Sequence, residues 1–162
     1  MSGAETKYFG KYRGVVTDND DPESLGRIKA KVPYVFGDQE STWANPSVPY
    51  AGQNVGLFLI PPTNASVWIE FERGELTLPI WSGCFWESSS DVPASSIDTK
   101  VLKTDAGSIT VNDQKGSGSI TIDVSGLKIV IDTQKIKLTN SSQTIELSSS
   151  SVKINDDALE VQ

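Results

Sequence analysis

"KIKLTNSSQTIELSSSSVKIN", residues 135–155, carries its apolar side chains in pairs around a single polar residue. Ile136 and Leu138 flank Lys137, Ile145 and Leu147 flank Glu146, and Val152 and Ile154 flank Lys153. Alternation of this kind places both members of a pair on one face of a β-strand. The same dyad recurs upstream as Ile109/Val111, Ile120/Ile122 and Leu127/Ile129, and downstream as Leu159/Val161. The steps between successive dyads are 11, 7, 9, 9, 7 and 7 residues, all odd. On a continuous strand, residues an odd number apart face opposite ways, so the spacing predicts a corner or bulge between dyads. The clusters "NDQKGSG" (112–118), "NSSQ" (140–143), "SSSS" (148–151) and "NDD" (155–157) occupy most of those gaps. Such residues suit corners.

A ribbon with one apolar face cannot bury that face alone. Burying a Val, Ile or Leu side chain is worth about 1.5–3 kcal/mol, so leaving every dyad exposed would be a severe loss. Steps of seven to nine residues are short for a single-chain parallel β-helix. Three chains wound around one axis are the economical closure, each supplying strands to all three faces of a triangular prism roughly 30–35 Å long. The dyads form its predicted core. An ordinary meander of hairpins is the alternative, and the odd spacing and the lack of aromatic residues are read as evidence against it.

Composition narrows the function. The 162-residue chain carries a net charge of −7, so a nucleic-acid groove lacks its usual basic footprint. It contains no histidine, which removes His-based acid–base chemistry, the common nucleophilic triads and most zinc or iron sites. The lone Cys84 excludes an intrachain disulfide and reads as a small core residue. No apolar run is long enough to span a membrane and no signal segment opens the chain, which predicts synthesis in the cytoplasm of a soluble protein.

The chain changes character at "ESSSDVPASSIDTK" (87–100): every Trp, Tyr, Phe and Pro lies before residue 94. The predicted organisation is an N-terminal arm (1–10), a β-barrel domain (11–87), a linker (88–100) and the ribbon (101–162). In the first part "YRGVVTD" (12–18) and "GRIKAKVP" (26–33) suit strands, and Tyr34 to Pro62 reads as irregular. In "SVWIEFERGEL" Val67, Ile69 and Phe71 share one face, and a turn at Arg73-Gly74-Glu75 leads into "TLPIWSGCFW". About five strands with one long middle connection fit an OB-fold, with an SH3-like barrel as the alternative. The fold class is all-β.

The stretches "RGVVTDNDDPESLGRIKAKVPYVFG" (13–37), "STWANPSVPYAG" (41–52) and "GLFLIPPTNASVWIEFERGELTLPIWSGCFW" (56–86) resemble the OB-fold domain of contractile-tail spikes. These are the phage baseplate assembly protein V, or central spike, and the VgrG proteins of type VI secretion. The residues that carry the likeness are Pro22, Gly26, Arg27, Pro33, Trp43, Pro49, Tyr50, Gly52, Pro61, Phe71, Gly74, Pro79 and Gly83. The ribbon is similar to the triple-stranded β-helix that follows this domain in the family. The resemblance implies a non-enzymatic homotrimer without cofactors, in a phage tail baseplate or injection-system particle. Its barrels would sit under the tail-tube hub, its rod would point at the target envelope, and sheath contraction would drive it forward. Some family members insert a lysozyme domain, for which the connector leaves no room. Others end in a His-x-His iron apex, which a chain without histidine cannot build. A blunt end covered by a PAAR-like tip protein is the expectation instead.

Other motifs compete weakly. "DNDDPES" (18–24) offers oxygen ligands, but Pro22 and Glu23 break the EF-hand pattern. Glu70 and Glu72 could pair as glycosidase carboxylates, though surface ion pairs with Arg73 at hand are the plainer reading. Arg27, Lys29 and Lys31 suggest a contact with the hub or a neighbouring subunit. Trp43, Trp81 and Trp86 could stack sugars, so a carbohydrate-binding tail adhesin is the alternative function.

Overall fold

The computed structural model describes residues 6–156 and 158–161, with backbone alone for residues 160 and 161. The chain divides into two compact units, residues 1–89 and 90–162.

In the first unit the strands are β1 (Tyr12–Asp18), β2 (Lys29–Lys31), β3 (Asn45–Pro46), β4 (Ala51–Gly52), β5 (Val55–Gly56), β6 (Ser66–Phe71) and β7 (Pro79–Cys84), with the one-turn helix α1 (Pro33–Phe36) after β2. Five strands form a sheet in the order β2-β1-β6-β7-β3, in which β3 runs parallel to β7. Antiparallel bridges Ile28↔Ala44 and Lys31↔Glu40 join β2 to the segment entering β3, and this closes the barrel. The core follows from alternation: Val16, Ile28, Ala30, Val32, Val67, Ile69, Phe71 and Trp81 are all buried. Trp81 also donates its Nε1–H to the Gly26 carbonyl at 3.1 Å, pinning the β1–β2 loop to the core. Gly26 sits at φ +75, where a side chain would be strained and its Cβ would crowd Ile60 at 3.0 Å.

Two expectations for this unit are corrected. Cys84 is exposed, because it lies at the end of β7, where the strand is leaving the core. The stretch 34–62 is not wholly irregular: β3 completes the barrel and β4 pairs with β5 as a small hairpin. Proline and glycine hide these short strands from periodicity.

The second unit contains β8 (Thr99–Lys103), β9 (Ser108–Asn112), β10 (Ser119–Val124), β11 (Leu127–Asp132), β12 (Lys135–Asn140), β13 (Gln143–Ser148), β14 (Val152–Ile154) and β15 (Leu159–Val161). They form one eight-stranded sheet in sequence order, and every neighbouring pair is antiparallel. The all-β architecture is what the sequence predicts; the connection between strands is not. Within the chain each strand is hydrogen-bonded to its own sequence neighbours, as in a hairpin meander. The reason lies in the turns. At Ser125-Gly126 both residues have positive φ, 51° and 92°, the geometry of a two-residue hairpin. Such a turn places residues an odd number apart opposite each other, and opposed residues share a face. Odd spacing therefore describes a hairpin meander rather than excluding it.

Polar side chains fix the turns. The Asp123 carboxylate accepts the Gly126 N–H at 3.1 Å, and that of Asp132 accepts the N–H groups of Gln134 and Lys135 at 2.8 and 3.0 Å. Ser148 Oγ accepts the Ser151 N–H at 3.2 Å. The serine runs are thus hydrogen-bonded corners.

Candidate assembly surface

Every dyad lies on one face of the second unit's sheet. The register runs Ile109↔Ile122, Ile122↔Ile129, Ile129↔Leu138, Leu138↔Ile145, Ile145↔Ile154 and Ile154↔Leu159. A second row runs Val111↔Ile120, Ile120↔Ile131, Ile131↔Ile136, Ile136↔Leu147, Leu147↔Val152 and Val152↔Val161. The side chain of Val161 lies outside the described residues.

The face is uncovered. Ile109, Ile120, Ile122, Leu127, Ile129, Ile136, Leu138, Ile145, Leu147, Val152, Ile154 and Leu159 are all exposed, with Ile145 at 46% and Leu159 at 53%. Val111 is half-buried. A groove of about 700 Å³ crosses this face, floored by Ile122, Ile129, Leu138, Ile145 and Ile154 and rimmed by Val124, Leu127, Asn140, Gln143 and Asn155. The periodicity missed Leu102, Val124 and Ile131, which belong to the same face. Their signal was present: 120/122/124 and 127/129/131 each extend a dyad by one more alternation. Lys100 also takes an inner-face position, opposite Val111, and reaches Asp113 at 2.5 Å.

The other face carries the polar middle residues and is internally paired. Lys135 and Lys137 reach Glu146 at 3.0 and 3.7 Å, and Lys128 reaches Asp123 at 3.1 Å. The Lys135 ammonium holds the Glu146 carboxyl below its ordinary value. The Gly126 N–H, then Lys128, do the same for Asp123. One face is charged and satisfied, the other apolar and open; such a sheet is built to be covered on one side.

The barrel's candidate residues are structural or apart. Asp21 is the hub of the β1–β2 loop. Its carboxylate accepts the N–H groups of Glu23, Leu25 and Arg27 at 3.0, 2.8 and 3.2 Å and the Arg27 guanidinium at 2.6 Å. Those donors, Arg27 first, hold it far below the usual carboxylate range and fill the lone pairs a calcium ion would need. Among the described residues no group of three acidic or thiol side chains is arranged around a metal position. Pro22 opens the turn closed by the Ser24 N–H to the Asp21 carbonyl at 2.9 Å.

Arg27 and Lys29 are engaged within the barrel. Both lie over the Trp43 ring, at 5.7 and 5.0 Å, and Lys29 reaches Glu40 at 3.2 Å. Glu70 pairs with Lys11 at 3.1 Å, whereas Glu72 has left the strand for a 3-10 turn beside Arg73. The two carboxylates are not a pair. Trp81 is buried, Trp43 is capped by cations, and Trp86 is 61% exposed, so the tryptophans do not form one stacking platform.

The remaining motif residues divide by role. Pro61, Phe71, Gly74 and Pro79 are buried, and the Gly74 carbonyl accepts the Tyr8 N–H at 3.0 Å, docking the arm. Pro33 starts α1, while Pro49, Tyr50 and Gly52 are exposed around the β4–β5 hairpin. Gly83, at φ +129, lies in β7 beside the β6 register shift.

Two family models match the chain. Residues 12–86 match the type VI secretion system/phage-baseplate injector OB domain, and residues 99–160 match the phage baseplate V C-terminal trimerisation domain. The chain belongs to the phage baseplate V family. The barrel matches its OB domain, and the open-faced meander matches its trimerisation domain, which supports a homotrimer. The family gives the chain a spike-type structural role in a phage tail or injection-system baseplate. No curated protein matches the chain.

Proposed function

We propose that this baseplate V protein is the central spike itself, a trimeric rod that attaches beneath the tail-tube hub by its OB barrels. On sheath contraction it pierces the target envelope. The observation that carries the reading is the uncovered apolar face of an eight-stranded sheet. Three such faces turned inward give a triangular prism with a dry axis. Seven inter-strand gaps of about 4.8 Å make each face roughly 34 Å tall. Backbone ladders run within each chain and side-chain packing binds the chains together. A closed core of this kind resists bending, and stiffness is the property a piercing element needs; no catalytic step is required of it.

At the far end β15 is the last strand of the sheet, so its outer edge presents backbone groups and the exposed Leu159. A PAAR-like tip protein is the proposed cover for that edge. The domain boundaries proposed from sequence, with a barrel at 11–87, a linker at 88–100 and a spike at 101–162, assign hub attachment to the first part and trimer formation to the last. The deciding measurement is mass in solution. Mass photometry or sedimentation at micromolar concentration is expected to give three times the 17.5 kDa chain, and a monomer would refute the spike.

A further inference from the structure

Around a three-fold axis, one lateral edge of each sheet meets the opposite lateral edge of the next copy, because cyclic contacts join different surfaces. The two edges of this sheet differ. On the side of the 125–126 turn, the inner-face positions next to the dyads are Val124 and Leu127, which oppose each other. One hairpin further on they are Asn140 and Gln143. On the other side, parity gives the inner face Gly118 before Ile120, Gln134 before Ile136 and Ser149 after Leu147.

The edges complement each other strand by strand. At the height of β10 and β11 one edge carries two apolar knobs, Val124 and Leu127, each 49% exposed, and the other carries Gly118 beside the short Thr133. At the height of β12 and β13 both edges carry amides or hydroxyls. Nothing within the chain requires glycine at 118. It is absent from the positive-φ residues, and a Cβ there would only touch the Asn112 carbonyl oxygen at an ordinary 3.5 Å. Gly107 is the contrast, since its Cβ would lie 2.5 Å from the Asp123 carbonyl oxygen of the same chain.

The dyads cannot by themselves set how three chains align along the axis. Val, Ile and Leu recur in every layer, so one chain slipped by two strands, about 10 Å, would still match like residues along its remaining six strands. A mark that occurs at one height is needed. We infer that Val124 and Leu127 of each copy seat against Gly118 of the next, and that this knob-and-gap seam fixes the register of the trimer. The inference rests on the trimeric spike reading.

The test is crosslinking in a Cys84→Ser background. Under mild oxidation, Gly118→Cys with Leu127→Cys is expected to give a covalent trimer on a denaturing gel. Leu127→Cys alone and Leu127→Cys with Ser149→Cys, two strands out of register, are expected to give none. Crosslinking in either of these instead of the 118–127 pair would overturn the seam. As a second probe, Gly118→Leu overfills the gap and is expected to raise the concentration at which trimers dissociate by roughly tenfold or more. Leu127→Ala should restore it, and a Gly118→Leu trimer that dissociates like the parent would overturn the inference. Native mass separates the two levels: a monomeric parent refutes the spike reading as well, whereas a trimer without the 118–127 crosslink refutes the seam alone.

Discussion

The two units of this chain bury apolar surface in opposite ways. The barrel wraps its alternating residues inward: Val67, Ile69 and Phe71 on β6 face Val16 on β1, Ala30 on β2 and Trp81 on β7, all within one copy. The meander has the same alternation and the same residue types but stays open, so Ile145 and its neighbours face outward. Alternation alone thus fixes which face is apolar and says nothing about what covers it. The first unit bends at the β1–β2 register shift and closes through β3 and the bridges that join its entering segment to β2. The second unit's ladders run in unbroken register and cannot curl shut.

That contrast predicts that equivalent substitutions act on different equilibria. The largest effect is expected from Ile145→Asp, which brings three unpaired carboxylates towards a dry axis. Sedimentation should find monomers, while the near-ultraviolet signal of the barrel, where all four tryptophans reside, stays unchanged. A still-trimeric variant would place Ile145 outside the core. Next comes Ile69→Ala, fully buried in the barrel. It should cost about 2–5 kcal/mol in denaturant titrations followed by tryptophan fluorescence, independent of protein concentration. Concentration dependence would erase the distinction between the units.

A smaller loss follows from Trp81→Phe, which leaves the buried Gly26 carbonyl without its 3.1 Å donor. About 1–3 kcal/mol of barrel stability is expected to go, with the oligomer mass unaltered. Acid should reach both units. Asp21 and Glu146 have folded pKa values held below their ordinary values of 3.8 and 4.5, by Arg27 and Lys135 first. Depressed carboxylates contribute stability that is present above the unfolded value and lost as pH falls through the folded one. Stability should therefore fall as pH drops below those ordinary values, and Asp21→Asn should flatten that fall in the tryptophan signal alone. The smallest effect belongs to Lys137→Ala. Glu146 keeps Lys135 at 3.0 Å, so the trimer's melting point should stay within measurement error.

Much of this molecule is legible in the order of its residues. β1 spans the stretch that periodicity marks, and every described dyad reaches the same face. Legibility stops where neighbours must be named. Odd spacing is equally compatible with a corner passed to another chain and with a two-residue hairpin, because both return the next apolar pair to one side. The in-chain ladders and the positive φ values at turns such as Ser125-Gly126 separate them. Cys84 was misplaced for a related reason, since composition describes how a residue type usually behaves, while the strand's exit from the core decides this one. Leu102 was missed because its dyad partner position is filled by the charged Lys100, and a pattern of apolar pairs passes over it.

The in-chain ladder has an evolutionary corollary. Because each strand of the meander bonds only to its sequence neighbours, a duplication or deletion of one hairpin between two turns leaves every other pairing intact. The open face keeps its side so long as the spacing stays odd. The length of the shaft can therefore drift in whole two-strand increments of about 10 Å, by a single in-frame event in one gene.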